Sequence, residues 1–289
     1  MSLAVILAVI DGASGREAAL DTAVQLGRAF KSRVELLHIE MDAEISMPIL
    51  GEGMSSAAVE QIFKNLRMEA EARQVEVRRF FERYRTAMEL PIVTPDSAPV
   101  AGQFEVCFQQ ITSRQLVEVL RRARLSDLTV FGRPGHENEN GISAIFETTL
   151  FDSGRPVLLA PTTPIKDLGS TVAVAWDRSR EAVRAVHAAL PILARAKRVV
   201  VITGKQSGSD VVPSELVHYL AGHGINAHTW GFTPESGALG REILQEAAKA
   251  EADSLVMGSY GHSRLRELVL GGVTRSILSQ AEIPVFMMH

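Results

Sequence analysis

Cysteine is almost absent from this sequence, since Cys107 is the only one among 289 residues. An internal disulfide is therefore excluded, and a zinc site made of cysteines lacks its ligands. The chain also lacks a strong excess of either charge, because its net charge is −4 and its isoelectric point is about 6.1. These values give no reason to expect a nucleic acid or an anionic membrane surface as a partner.

Long apolar runs are absent as well. The opening stretch MSLAVILAVIDG is apolar, but Asp11 interrupts it after about eight residues, which is too short for a membrane-spanning helix. No basic segment precedes the apolar residues, as a signal peptide would require. We therefore expect a buried strand here and no insertion into membranes. The single cysteine makes a reducing cytoplasm the simplest location.

What the sequence does contain is an alternation of short apolar runs and amphipathic segments. The runs are rich in Val, Ile and Leu, as is typical of parallel strands buried on both faces, and the segments between them have helical spacing. The length is sufficient for two domains. Residues 161–171, PTTPIKDLGST, combine chain breakers with low hydrophobicity and indicate a linker. The predicted domains are residues 1–163 and 169–289.

Three blocks of residues recur in the same order on either side of this linker. VIDGASGREAAL (9–20) corresponds to AWDRSREAVRAV (175–186), DLTVFGRPGH (127–136) to DSLVMGSYGH (253–262), and RPVLLA (155–160) to IPVFMM (283–288). Asp11 and Asp177 end the first apolar run of each copy. We therefore interpret the chain as a tandem repeat of one α/β unit.

The second copy carries a group of spaced glycines. In MGSYGHSRLRELVLGGVTRS (257–276), Gly258 and Gly261 are three apart, nine residues follow, and Gly271 and Gly272 then precede a helical pattern. Together with the strand that ends in Asp and the closing Pro-Val strand, this pattern resembles the universal stress protein family in its tandem two-domain form. The resemblance implies two doubly wound, Rossmann-like α/β domains, each with a five-stranded parallel sheet. It also implies ATP or a related adenine nucleotide such as AMP at the carboxyl ends of the strands, although some members bind none.

The same glycines indicate an anion site on physical grounds. Gly258 ends a predicted strand, and ligands of doubly wound sheets lie beyond the carboxyl ends of strands. Glycine permits positive φ and lets a ligand approach the backbone closely. The second glycine group begins a predicted helix, whose free N–H groups and dipole favour phosphate: Gly271, Gly272, Val273, Thr274 and Arg275. The alternative is that these glycines form only a turn and a helix cap.

Asp177 is the predicted contact on the adenine or ribose side, because a carboxylate at the end of a strand faces the same crevice. The alternative for Asp177 is the N-cap of the following helix, although Ser179 is also a suitable cap. Trp176 beside it is expected to belong to the core.

The phosphate side of the site is less fully specified. His262 and Ser263 follow Gly261 and are candidates for a phosphate contact, or they form an exposed loop. Gly272 stands where the resembled family has Ser or Thr, so Thr274 or the backbone would have to replace that hydroxyl group. A cation such as Arg275 in the first turn of a helix is slightly unfavourable unless an anion is bound there.

The first copy keeps the strand-ending Asp and the first two glycines but loses the rest of the pattern. Glu137, Glu139 and Glu147 would place negative charge near the phosphates, and Phe146 stands in the position of Thr274. We therefore predict at most one nucleotide site, in the second domain.

Two further features concern contacts between elements. Residues 55–90 are predicted to form one or two helices that cover the first sheet, or alternatively a docking surface. The closing strands Val157–Ala160 and Val285–Met288 are expected to lie at sheet edges and to pair with each other, giving an intramolecular pseudo-dimer. A homodimer of the whole chain is a further possibility.

The sequence therefore predicts a stress-response regulatory protein that holds ATP or AMP in its second domain, with Mg²⁺ accompanying ATP as an option. It would act by changing its contacts with an unknown protein partner, without catalysis. One alternative is an interaction scaffold of the same fold without nucleotide. Another is a slow nucleotide hydrolase, for which no pair of acid–base carboxylates is convincingly placed.

Overall fold

The computed structural model describes residues 3–10, 15–41, 56–113, 115–133, 144–163, 168–204, 212–234, 239–259 and 272–289. Helices and strands alternate along most of the chain. The first half contains β1 (Val5–Val9), α1 (Arg16–Phe30), β2 (Arg33–Met41), α2 (Ser56–Ala87), β3 (Ile92–Val93), β4 (Glu105–Ser113), α3 (Gln115–Ala123), β5 (Leu128–Phe131), α4 (Ala144–Asp152) and β6 (Val157–Leu159).

The second half repeats this order with shorter connections. It contains β7 (Thr171–Ala175), α5 (Arg180–Leu193), β8 (Arg198–Gly204), α6 (Pro213–Gly222), β9 (Ala227–Phe232), α7 (Leu239–Lys249), β10 (Ser254–Gly258), α8 (Gly272–Gln280) and β11 (Val285–Met288).

All eleven strands form one sheet, in the order β3-β4-β2-β1-β5-β6-β11-β10-β7-β8-β9. Neighbouring strands are parallel within each half, and the order within each half reverses beside its first strand, as in a doubly wound fold. The halves meet where β6 and β11 pair antiparallel, with Leu158 opposite Phe286. The predicted fold class and the intramolecular pseudo-dimer are therefore confirmed.

Two helical layers cover the sheet, one on each face. Helices α1, α2, α5 and α6 pack on one face, and the core beneath them runs without interruption from Leu36 in the first half to Val201 in the second. Helices α3, α4, α7 and α8 cover the other face, where Phe131 packs edge-on against Phe146. Because strands buried on both faces need apolar residues at every position, the continuous apolar runs of the sequence follow from this layering.

The first half departs from the predicted five strands by one small addition. Strand β3 has only two residues and pairs in parallel with the outer side of β4. In the second half, β9 corresponds to β4, and no described strand pairs with its outer side.

Helix α2 packs on the sheet through Phe81, whose ring stacks on Phe108 at 4.2 Å, and through Tyr84, whose hydroxyl group donates to Asp21 on α1. Its carboxyl-terminal part is therefore a cover for the first sheet.

The aspartate that begins each copy of the DLTVFG/DSLVMG block, Asp127 or Asp253, holds the start of another strand by hydrogen bonds. The Asp127 carboxylate accepts the backbone N–H groups of Ala4 and Val5 at 2.7 and 3.0 Å, which fixes the start of β1. Asp253 does the same for β7 and accepts from three consecutive residues, Gly169 to Thr171, at 2.7–2.9 Å. Each aspartate therefore ties the first strand of its half to a neighbour in the sheet, β1 to β5 and β7 to β10.

Helix α3 provides a pH-dependent contribution to stability. Glu118 Oε1 accepts hydrogen bonds from Arg121 and Arg122 at 2.6 Å, and these contacts, that of Arg121 foremost, lower the pKa of Glu118 to about 2. A carboxylate with a lowered pKa stabilises the fold above its unfolded pKa of 4.5, and this contribution is lost as the pH falls towards 2.

We expect Glu118→Gln to lower the free energy of unfolding by about 1 kcal/mol at neutral pH, a value reduced for the exposure of Arg121 to solvent. The difference from the unaltered chain should shrink as the pH falls below 4.5, and urea unfolding at several pH values measures it. Glu82→Gln, which removes an exposed partner of Arg85, is the control and should cost less than about 0.5 kcal/mol. An equal loss from Glu118→Gln at every pH would contradict this interpretation.

Candidate functional site

The crevice of the second half opens between β7 and β10. Along the chain, β7 is followed by β8 and β9 on one side, and β10 and β11 lie on the other side. The connections after β7 and β10 therefore leave the sheet on opposite faces at their carboxyl ends, which is where doubly wound proteins bind ligands. This geometry brings the turn 176–179 and the end of β10 to one edge of the sheet.

The turn after β7 is built on Asp177 and Ser179. The Ser179 hydroxyl group accepts the N–H of Ala182 at 3.1 Å and is the N-cap of α5. The carboxylate of Asp177 is exposed, and its Oδ1 accepts the N–H of Ser179 at 2.9 Å. The alternative role of Asp177 as the N-cap is therefore wrong. Its second carboxylate oxygen has no hydrogen-bond donor among the described residues, so a ligand in the crevice can reach it.

Arg178 adds strain to this turn. Its backbone φ is 64°, in the left-handed region that residues other than glycine and asparagine rarely adopt. Strained residues of this kind cluster at ligand sites, where the surrounding structure holds them in place.

Gly258 lies at the end of β10, directly against the first turn of α5. A Cβ atom at this position would be 2.4 Å from the backbone nitrogen of Ala182 and 2.6 Å from the carbonyl carbon of Glu181. Gly258 does not have a positive φ, so the close approach of a helix explains it, rather than the positive φ that the sequence suggested. The effect is to bring the amino end of α5, with its positive dipole, to the crevice.

Two buried polar groups at this edge have no hydrogen-bond partner among the described residues. The indole nitrogen of Trp176 and the hydroxyl group of Thr203 are shielded from water and make no hydrogen bond within the described part of the chain. Ala175 on β7 pairs with Ile202 on β8. Trp176 and Thr203 are the next residues of the two strands, so their side chains lie on the same face of the sheet. The rest of the Trp176 side chain is half-buried against the core.

The amino end of α8 contributes the second wall, and its four described residues differ in exposure. Gly272 is exposed, with no heavy atom within 4 Å of a Cβ built on it, and Arg275 is also exposed. Thr274 is buried. Val273 packs closely on α7, where a Cβ on Gly240 would be 2.7 Å from the Val273 carbonyl oxygen. The open backbone at Gly272 and the guanidinium group of Arg275 are therefore the features of α8 that an anion can reach.

Four predicted site residues lie outside the described residues: Gly261, His262, Ser263 and Gly271. Their contacts with phosphate stay predictions. Ser259, which precedes this stretch, is buried, and both its N–H and its hydroxyl group donate to the carbonyl of Met288, at 3.0 and 3.1 Å. The chain is therefore fixed to β11 immediately before it enters the glycine-rich segment.

The first half has the same close approach but different polar groups. A Cβ on Gly132 would be 2.5 Å from the carbonyl oxygen of Gly15, so α1 approaches β5 as α5 approaches β10. Phe146 is buried, and Glu147 lies in the first turn of α4. Glu137, Glu139 and Asp11 lie outside the described residues, so the absence of a nucleotide site here stays a prediction.

Sequence reasoning missed Arg133, which is buried at this edge of the first half. An arginine directly after a strand-ending glycine was the only signal for it.

Within the described ranges, no three His, Cys, Asp or Glu side chains are grouped as ligands of a metal ion, and no helix has the length and apolarity needed to cross a bilayer. Cys107 is buried, and burial raises the pKa of its thiol group, as expected for a small core residue.

Comparison with known proteins shows which proteins the chain resembles. Residues 228–289 match the model of the universal stress protein family. A universal stress protein from Archaeoglobus fulgidus has a similar structure, with a TM-score of 0.69 at 17% identity over 99% of this chain and 96% of that chain. A putative universal stress protein from Pseudomonas aeruginosa has a TM-score of 0.57 at 17% identity, over 99% and 93%. No curated protein matches the chain. The resemblance to this family, in its tandem two-domain form, is therefore confirmed.

Proposed function

We propose that the second half of this chain binds an adenine nucleotide, ATP or AMP, and that the protein acts as a stress-response regulator. In this proposal, nucleotide changes the contacts that the protein makes with a partner protein, without catalysis. The domain limits 1–163 and 169–289, a cytoplasmic location, Mg²⁺ as a companion of ATP, and a homodimer of the whole chain belong to the same proposal.

The observation that carries the proposal is the set of polar groups at the switch point of the sheet that have no hydrogen-bond partner in the described part of the chain. Burying a polar group without a hydrogen bond costs about 1–3 kcal/mol, so Trp176 and Thr203 favour a ligand that supplies the partners. A base and a ribose carry several donors and acceptors each. The second oxygen of Asp177 is a further acceptor, suited to a ribose hydroxyl or an exocyclic amine.

Positive charge is available for the phosphates on the other side of the crevice. The amino ends of α5 and α8 both point to this edge, and each carries the positive end of a helix dipole. Arg275 is exposed on the first turn of α8, where it opposes the dipole unless an anion lies between them. The match of residues 228–289 to the universal stress protein model supports the same half of the chain.

We expect Asp177→Ala to weaken the binding of ATP or AMP by about 10- to 100-fold, because a hydrogen bond to a charged group contributes about 1.5–3 kcal/mol. The folded state should lose less than about 1 kcal/mol, since Asp177 is exposed and accepts one backbone N–H. Isothermal calorimetry with each nucleotide, with and without Mg²⁺, measures the affinity.

Asp11→Ala is the matched control, because Asp11 holds the corresponding position of the first copy. It should leave the affinity unchanged. The opposite result, with binding lost in Asp11→Ala and retained in Asp177→Ala, would place the nucleotide in the first half and contradict the proposal.

Tryptophan fluorescence gives an independent measurement. The chain has two tryptophans, and Trp230→Phe leaves Trp176 as the only fluorophore of this kind. Nucleotide binding should then change the emission, because the indole lies at the proposed site. Trp176→Phe should remove the change. A scaffold without nucleotide would be favoured by two results together: neither nucleotide changes the emission of the Trp230→Phe variant, and calorimetry detects no heat of binding.

One observation favours that scaffold as a second candidate. Helix α2 is 32 residues long, more than twice the length of α6, its counterpart in the second half. It exposes Met68 and Val75, which are 59% and 49% accessible. A scaffold without a nucleotide would bind its partner equally well in the presence and absence of ATP.

A further inference from the structure

Arg133 is a buried cation at the carboxyl edge of the first half. It follows Gly132 at the end of β5, and only 7% of its surface is accessible. Its Nε and Nη2 atoms are shielded from solvent and have no hydrogen-bond partner in the described part of the chain, and no carboxylate there forms an ion pair with it. A buried charge of this kind is costly unless it is paired.

The other deeply buried arginine, Arg33, shows how this chain normally satisfies such a group. Arg33 is 3% accessible, and its Nη1 donates to Glu105 at 2.9 Å and to the carbonyl of Ser97 at 2.9 Å. Its Nη2 donates to the carbonyl of Pro95 at 3.1 Å, and its Nε lies 3.4 Å from Glu35. Arg33 is therefore neutralised by the protein itself, whereas no carboxylate among the described residues does the same for Arg133.

Arg133 also keeps its charge. Burial lowers the pKa of its guanidinium group to about 10, which is still well above neutral pH. The group therefore remains protonated in the cell, and it cannot escape the cost of burial by becoming neutral.

The amino end of α1 contacts the backbone of Arg133. Gly15 is its N-cap, has a φ of 75°, and provides no side chain to accept the free N–H groups of the first turn. A Cβ on Gly15 would be 2.2 Å from the carbonyl oxygen of Arg133, so the helix begins in contact with this residue. An uncapped helix amino end and a buried guanidinium group each favour an anion, and both belong to the same edge of the first half.

We propose that the first half binds a small oxyanion through Arg133 and the amino end of α1. The ligand is inorganic phosphate, the carboxylate of a small acid, or the phosphoryl group of a larger molecule, since all three offer oxygen acceptors for a guanidinium fork. Arg133 occupies the edge of the first half, across the β6–β11 junction from Asp177, so this site is independent of the proposed nucleotide site.

Thermal unfolding of the full chain in matched buffers tests the proposal. Inorganic phosphate, acetate and AMP are added separately, with sodium chloride holding the ionic strength constant. The variants are Arg133→Met, which keeps the bulk of the side chain without its charge, and Arg28→Met as a control at the opposite end of α1. Asp177→Ala is included so that binding of AMP at the second half is recognised separately.

For the unaltered chain, phosphate several-fold above its dissociation constant should raise the melting temperature by about 2–4 °C. Arg28→Met and Asp177→Ala should show the same rise, and Arg133→Met should show none. Without phosphate, Arg133→Met should melt at the same temperature as the unaltered chain or higher, because a methionine has no charge to bury.

Acetate distinguishes the ligand classes: a rise equal to that with phosphate indicates a carboxylate site, and a smaller rise indicates a phosphate site. A rise with AMP that persists in Asp177→Ala and is lost in Arg133→Met indicates a phosphoryl group on a larger molecule. The proposal is overturned if no anion shifts the melting temperature, or if the shift survives in Arg133→Met. It is also overturned if Arg133→Met is destabilised equally in every buffer, since that result would mean that the protein itself pairs Arg133.

Discussion

Replacing Gly258 with alanine is expected to destabilise the protein by about 3 kcal/mol. The new methyl group would be 2.4 Å from the backbone nitrogen of Ala182, and a helix backbone cannot move aside as a flexible side chain does. Helix α5 must therefore shift away from β10, which should also weaken nucleotide binding by about tenfold. Urea unfolding and calorimetry measure the two effects.

Gly272→Ala is the control, because a methyl group there meets no atom within 4 Å. Its free energy of unfolding should stay within about 0.5 kcal/mol of that of the unaltered chain. If phosphate binds the backbone of α8, this variant should nevertheless lose nucleotide affinity, since the methyl group occupies the space beside Gly272. Unaltered stability in Gly258→Ala would show that α5 does not approach β10 as closely as described.

Asp253→Ala should lower the free energy of unfolding by about 3 kcal/mol. The carboxylate accepts the N–H groups of Gly169, Ser170 and Thr171 at 2.7–2.9 Å, and without it these donors lie in a partly buried site with no acceptor. Asp127→Ala removes two such bonds near the exposed start of β1, and we expect a loss of about 1–2 kcal/mol.

The comparison with asparagine separates charge from hydrogen bonding. Asp253→Asn keeps one acceptor oxygen, so its loss should fall between those of the unaltered chain and Asp253→Ala. Chemical unfolding curves for the three proteins provide the measurement. Equal stability of Asp253→Ala and the unaltered chain would mean that the entry to β7 is held by packing alone.

The sequence predicts most of the fold, because buried parallel strands require continuous apolar runs and these are visible without coordinates. Strand β11 begins and ends at the residues predicted, Val285 and Met288, and β6 begins at the predicted Val157 and ends one residue early, at Leu159. The repeat of three blocks predicted the second copy of the unit, and edge-strand physics predicted the β6–β11 pairing. Strand β3 was missed because two residues give too short a pattern to recognise.

The candidate site was less predictable, because its determinants are contacts between distant segments. The position of Asp177 directly after a strand could be predicted, but two other features depend on the packing of three elements. They are the close approach of α5 to Gly258, and the polar groups of Trp176 and Thr203 that have no partner among the described residues. The burial of Arg133 could not be predicted from the sequence for the same reason, because it follows from the residues that pack around the side chain and not from its neighbours in sequence. Spacing indicates where a crevice lies, whereas its chemistry depends on what packs around it.

The antiparallel contact of β6 with β11 has a consequence for how the protein responds to dilution. Since both strands belong to one polypeptide, each meets the other at an effective concentration set by the intervening chain, and lowering the protein concentration does not separate them. Within the described residues, β3 and β9 are the outermost strands, so growth of the sheet by a second molecule has to begin there. The fusion of two repeats thus closes the edge at which separate single-repeat chains would otherwise meet.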